Sequence, residues 1–319
     1  MAITSTGTSN FSSLVENMIE RKLEAQLRSN LPFATPGSYR NFVHVPGGND
    51  TFVAPTVADI VASVDSASFL VEGTPPTPVE LALDKDTFTG RQFGKVVSIS
   101  DLAEWESPFS MADTAAEKVS RWAAEIINLV AQSAFVSCTN VIYAGGASAG
   151  SATSGKMTAA DLGLAVARLR MAGVPQFPWG YTAILSPRQI VDISSETAAN
   201  SWANAVRYTD SGPLLAGEVG YFQGCRILDG GKIVQNATTS GAGGVDLLTG
   251  VVFGPEAIGL GDIGTVEVHV VNQADHQDPL NQTILVGTKL WIGAGYLGKA
   301  GDKAILLKTA GTILAAGQH

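Results

Sequence analysis

Between Met111 and Phe135 the residues Ala115, Val119, Trp122, Ile126 and Leu129 recur at spacings of four, three, four and three. That is the period of one helix face, and a helix of this length runs about 37 Å at 1.5 Å per residue. A rod so long, with an apolar stripe so narrow, cannot bury itself. It is a spine, and the rest of the chain must supply the surfaces that pack on it.

The segments before the spine are extended. Residues 9–29, "SNFSSLVENMIERKLEAQLRS", have Phe11, Leu14, Val15, Met18 and Leu23 at helical spacing, with Ser9 or Asn10 placed to cap. Pro32, Pro36 and Gly37 then break the helix, and short alternating pieces flank Pro46-Gly47-Gly48-Asn49-Asp50, which predicts a small hairpin. From Leu70 to Ser100, Pro75, Pro76 and Pro78 precede a strand pattern with Val79, Leu81 and Leu83 on one face. Glu80, Ala82 and Asp84 lie opposite, Asp84 to Asp86 and Thr89-Gly90-Arg91 make a polar tip, and Phe93, Val97 and Ile99 lead back. This predicts a long β-hairpin. Two strands alone are marginal in water, so the hairpin must lie against something else.

After the spine, "CTNVIYAGG" reads as a strand and "ASAGSATSGK" as a loop. "MTAADLGLAVARLRMAGVP" is a helix with Thr158 as cap, Asp161 at the capping-box position, Gly173 as terminator and Pro175 beyond it. "YTAILSPRQIVDIS" is a strand feeding a second helix, with Ser186, Pro187 and Gln189 at its start. Residues 146–262 thus form an α/β module, and 263–319 return to strands. The class is α+β, with one sheet drawn from both ends of the chain and a domain inserted between them. The boundaries fall at 1–69 (arm and first strands), 70–100 (hairpin), 101–145 (spine), 146–262 (inserted module) and 263–319 (return strands).

Charged residues are 15% of the 319 and the net charge is −9. No basic run exists, which argues against tight, direct nucleic-acid binding. The start has no signal-peptide pattern, no apolar run reaches membrane-span length, and Cys138 and Cys225 are read as reduced and buried. Gly146-Ala147-Ser148-Ala149-Gly150 matches a nucleophile elbow but lacks the sharp strand-to-helix turn. His269, Asp275, His276 and Asp278 cluster without a metal-site spacing, and "GKAGDK" (298–303) lacks phosphate-loop spacing. Trp179 reads as a packed loop aromatic, with ligand stacking as its other reading. No catalytic, metal or cofactor residues are assigned.

Taken in order, "MIERKLEAQLRSNLPF", "GGNDTFVAPTVADIV", "VSISDLAEW", "TNVIYAGG", "MTAADLGLAVARLRMAGVP", "YTAILSPRQIVDI", "GEVGYFQGCRIL" and "DPLNQTILVGTKLWIGAGYL" resemble the major capsid proteins of tailed bacteriophages, podophage-type subgroup, a fold shared with encapsulins. The resemblance implies an N-terminal arm, an extended β-hairpin loop, a peripheral domain with spine helix and sheet, and an inserted α/β axial domain. It implies a non-enzymatic subunit that self-assembles through hexameric and pentameric capsomers into an icosahedral shell around double-stranded DNA, bound without sequence specificity. The setting it implies is a virion assembled in the host bacterial cytoplasm, with scaffolding, portal and decoration proteins as further partners, no membrane and no cofactor. The extended loop would contact neighbours through Leu81, Leu83, Asp84, Lys85, Asp86, Phe88, Arg91, Phe93 and Lys95, and the arm through Phe11, Leu14, Met18 and Leu23. Two alternatives stay open: an encapsulin-like shell, and a hydrolase using His276 and Asp278 or Ser148.

Overall fold

A computed structural model describes residues 32–33, 37–43, 50–57, 69–70, 72–75, 78, 80–81, 83–108, 110–147, 155–196, 218–231, 247–262, 267–271, 279–280, 282–298 and 303–310. The arm residues Phe11, Leu14, Met18 and Leu23, and Ser148, Asp275, His276 and Asp278, lie outside the described residues.

The spine is a single helix, α2 (Met111–Val136), preceded by the short α1 (Asp101–Glu106). Its start is capped twice. The Ser110 hydroxyl accepts from the Asp113 N–H at 3.2 Å, and one Glu104 oxygen accepts from the Met111 and Ala112 N–H groups at 2.8 and 3.1 Å. A carboxylate there also complements the positive end of the helix dipole. The buried face is richer in alanine than the stripe read from sequence. Ala116, Ala123, Ala124 and Ala131 are buried beside Ala115 and Val119, while Trp122 and Ile126 are half-buried and Leu129 is exposed. Small side chains let the helix axis approach the sheet beneath it.

That sheet has five strands. β1 (Tyr39–Val43) runs parallel to β10 (Ile258–Asp262), which pairs antiparallel with the long β12 (Thr283–Tyr296). β11 (Glu267–Val271) continues along the same edge of β12, and β4 (Arg91–Ser100) covers the other edge over its full length. Strands from before the spine, β1 and β4, therefore share one sheet with strands from residues 258–296. Ile99, Val268, Val286, Leu290 and Ile292 meet Ala115, Ala116 and Ala123 of α2 in one core.

The inserted module is a six-stranded sheet in the order β5 (Val141–Tyr143), β13 (Ala304–Ala310), β9 (Leu247–Phe253), β6 (Tyr181–Leu185), β8 (Cys225–Asp229), β7 (Glu218–Phe222). Helices α3 (Ala159–Met171) and α4 (Pro187–Ser194) cover one face through Leu162, Val166, Leu169 and Ile193, and both capping boxes expected at Thr158/Asp161 and Ser186/Gln189 are formed. The other face meets the last turns of the spine. Phe135 packs on Phe253 at 4.8 Å between ring centroids and on Phe33 at 5.9 Å, and the Phe33 N–H donates to the buried Asn128 side chain at 3.1 Å. The C-terminal end of the spine thus joins the two sheets.

Three expectations are corrected. The last strand, Ala304–Ala310, assigned to the return strands of the spine domain, instead lies in the module's sheet between β5 and β9. Its alternate residues face two apolar layers, and the Gln189 amide donates to Thr309 Oγ1 at 3.0 Å and to the Leu307 carbonyl at 3.3 Å. The strands flanking residues 44–49 do not pair with each other as a hairpin: β1 pairs with β10 while β2 (Thr51–Val57) pairs elsewhere. The 70–100 hairpin does not form either. β3 (Leu83–Thr89) pairs with β2, and β4 pairs with β12, so the chain changes sheets at Gly90. The supposed tip residues Asp84 to Asp86 are mid-strand, opposite Ala54 to Thr56. The projecting element is the β2–β3 ribbon.

Gln189 gives the first test. Gln189→Leu keeps the volume and leaves the carbonyls of Leu248 and Leu307 without their buried donor. A loss of roughly 1–3 kcal/mol in unfolding free energy is expected by denaturant titration; an unchanged midpoint would mean that β13 is held by packing alone.

Candidate functional site

The ribbon is built on a stripe of missing side chains. β10 contributes Gly259 and Gly261, and β12 contributes Gly293 and Gly295, so the sheet there is bare backbone. A Cβ at Gly261 would lie 2.5 Å from the Phe52 ring, one at Gly295 would lie 2.5 Å from Phe88 Cβ, and one at Gly293 would meet Gly90 at 2.8 Å. Phe52 and Phe88 are cross-strand partners, stacked at 5.1 Å and 17° between planes, and Phe42 closes edge-on to Phe88 at 5.5 Å. With Ala54 and Leu297 they form a small separate core. The Gly90 N–H donates to the Asp50 carbonyl at 2.9 Å and closes the base.

Alternation along the strands then decides what the ribbon offers outward. Phe52, Ala54 and Phe88 point down, so Val53, Pro55, Thr87, Lys85 and Leu83 point away from the body. Leu83 is 78% exposed and Leu81, just before the strand, 59%. Two large leucine side chains thus lie exposed close together on a two-stranded element.

The residues read from the sequence therefore divide. Leu81, Leu83, Asp84, Lys85, Arg91 and Lys95 are exposed, and Asp86 is half-buried. Phe88 is 8% exposed and belongs to the subunit's own core, as does half-buried Phe93, which packs with the spine cluster. Both side chains were assigned outward because the strands were paired wrongly: with β3 on β2, the Phe52–Phe88 pair faces the body. Sequence reading also missed Val53, Val96 and Trp105, which are exposed at 50%, 62% and 89%. The alternation in "TFVAPTV" carries the signal for Val53, whereas Trp105 sits on the outer side of the single turn and a half of α1 with no periodicity to place it.

A second feature is a groove of about 530 Å³ on the five-stranded sheet, on the side away from the spine. Gly287 of β12 is its floor, paired with Val96 on one side and His269 on the other; Val271 and Leu285 add apolar wall, and Lys289 stands on the rim.

Among the described residues no three His, Cys, Asp or Glu side chains are grouped to hold a metal. Burial pushes the Cys225 thiol up to about 12, which keeps it protonated and non-nucleophilic at neutral pH. Trp179 is stacked on Phe177 at 5.4 Å with the Arg226 guanidinium over it at 5.2 Å, so its faces serve packing.

No family model and no curated protein matches the sequence. Solved structures do. The capsid of Ralstonia phage GP4 is similar over 91% of this chain and 92% of its own, with a TM-score of 0.70 and 13% identity. The capsid structure of the cyanophage P-SCSP1u is similar over 85% and 87%, with a TM-score of 0.62 and 16% identity. The capsid of Helicobacter pylori bacteriophage KHP30 is similar over 89% and 91%, with a TM-score of 0.62 and 12% identity. The chain has the fold of these phage capsid proteins.

The division of the ribbon predicts a split between two substitutions. Phe88→Asp places a charge in the small aromatic core and should cost about 3–5 kcal/mol of subunit stability. Leu83→Asp, five residues away and exposed, should change it by less than about 0.5 kcal/mol. Thermal unfolding of the unassembled chain checks both; equal losses would mean that Leu83 is also covered by its own subunit.

Proposed function

We propose that the chain is the structural subunit of a tailed-phage capsid, which self-assembles into an icosahedral shell around double-stranded DNA. The observation that carries this reading is the ribbon: its base is locked by Phe52 and Phe88, while Leu81, Leu83 and Val53 are left bare beyond it. The fold shared with capsid proteins of several phages supports it.

The physical logic is that of many modest contacts. Heterologous contacts close into rings when the rotation between copies allows, and pentameric and hexameric capsomers are such rings. A standard interface buries about 1,600 Å², and a subunit gripped by ribbon, arm and body at once gains through effective concentration. On this reading residues 9–29, with Phe11, Leu14, Met18 and Leu23, clasp a second neighbour. A net charge of −9 on the subunit disfavours adhesion of packaged DNA to the shell wall, since like charges repel across a screened gap. No catalysis is needed for any of this. The shell belongs to the virion and is assembled in the host bacterial cytoplasm, with scaffolding, portal and decoration proteins supplied separately.

Electron microscopy of particles isolated from host cells making this chain together with the other structural proteins should show it in closed, uniform shells. Replacing residues 56–84 by Asn-Gly leaves Pro55 and Lys85 as the last ribbon pair and a two-residue turn at the end. That variant should stay folded and soluble but form no shells. Normal shells from it would remove the ribbon from assembly.

A further inference from the structure

In the inserted module, Asp192 is a buried carboxylate in the last turn of α4, 6% exposed. Its Oδ1 lies 3.4 Å from Arg188 Nε one turn back, and its Oδ2 is buried with no hydrogen-bond donor. The group stands where α4 meets the root of α3. Lys156 and the Met157 N–H act on it from the segment that leads into α3. Beside them Glu196 accepts from the Ala159 N–H at 2.9 Å, and Asp161 completes the capping box with Thr158. Asp192 differs from both neighbours in having an oxygen with no donor. The two cations are the exposed members of the cluster, Arg188 with half of its side chain in solvent. Water screens their pull, while the carboxylate itself has lost its water. The last turn of α4 adds its own partial negative charge and carries no basic residue to offset it.

We propose that Asp192 is an acid-operated latch between α4 and the root of α3: on acidification it takes up a proton, and the six-stranded module becomes more stable. A dry, half-paired anion is costly to bury, and the neutral acid is not. Protonation therefore removes a penalty that the folded module carries at neutral pH. Burial raises the Asp192 carboxyl above its ordinary value, against the smaller downward pull of Arg188, Lys156 and the Met157 N–H. Because the folded value is the higher one, this contribution to stability is complete below the ordinary carboxylate value. It is lost as pH rises through the folded value. The latch belongs to the single subunit and does not depend on the shell reading.

Urea unfolding of the unassembled full-length chain, repeated across a range of pH, tests this. Asp192→Asn keeps the shape of the side chain and removes its charge. At about pH 7.5 it should raise the folded-to-unfolded ratio by about threefold to thirtyfold. The gap to the wild type should close as pH falls toward about 4, where Asp192 is itself neutral in the folded chain. A gap of constant size across this range, or an Asn variant less stable than the wild type at neutral pH, would overturn the latch. Arg188→Met guards against an Asn variant that folds poorly. Removing the cation that favours the ionised form should lower the folded-to-unfolded ratio by about twofold to fivefold at neutral pH, and far less near about pH 4. A loss of equal size at both ends of the range would overturn the latch as well.

Discussion

Two stacked phenylalanine rings packed against bare backbone hold this molecule's projecting element to its body. Phe52 and Phe88 can stack over β10 and β12 only because Gly259, Gly261, Gly293 and Gly295 carry no Cβ. A methyl at any of them would enter a ring or a neighbouring backbone, and overpacking of that kind costs about 1–3 kcal/mol. The same contact separates the two jobs of the ribbon. At the base, apolar area is removed from water within the subunit; a few residues further on, it stays exposed.

The spine extends this arrangement across the molecule. Its alanine-rich face lies on the five-stranded sheet, and its last turns, through Ala131, Ala134 and Phe135, lie on the six-stranded one. Since both sheets grip the same helix, the groove at Gly287 and the base of the ribbon keep fixed positions on one sheet face. The Asn128–Phe33 hydrogen bond ties the chain entering from the N-terminal side to this same joint.

Much of this was legible in the sequence, and the failures share one cause. The spine, both capped helices and the segment order could be read because each rests on local periodicity and capping chemistry, within a few residues of itself. Strand partners could not, because pairing is decided by long-range packing that alternation does not encode. Residues 79–99 do alternate on both sides of Gly90, which invites a hairpin. The glycine stripe some 170 to 200 residues later is what draws Phe88 down to the body and sends β3 to β2 and β4 to β12. Leu81, Leu83, Asp84, Lys85, Arg91 and Lys95, expected to contact neighbours, are exposed in the subunit. Phe88 and Phe93 were misplaced because aromatic character alone does not say whose core a residue completes. The groove was invisible for the same reason: Val96, His269 and Gly287 are neighbours only through the register of β4, β12 and β11.

Hydrogen exchange, followed residue by residue in dissociated subunits and in assembled material, tests the division of the ribbon most directly. The account predicts that the amides around Phe52 and Phe88 are protected in both states, while those from Leu81 to Lys85 exchange quickly in the subunit and slow down on assembly. Equal protection of Leu81 to Lys85 in both states would show that the subunit covers its own ribbon, and would contradict the account.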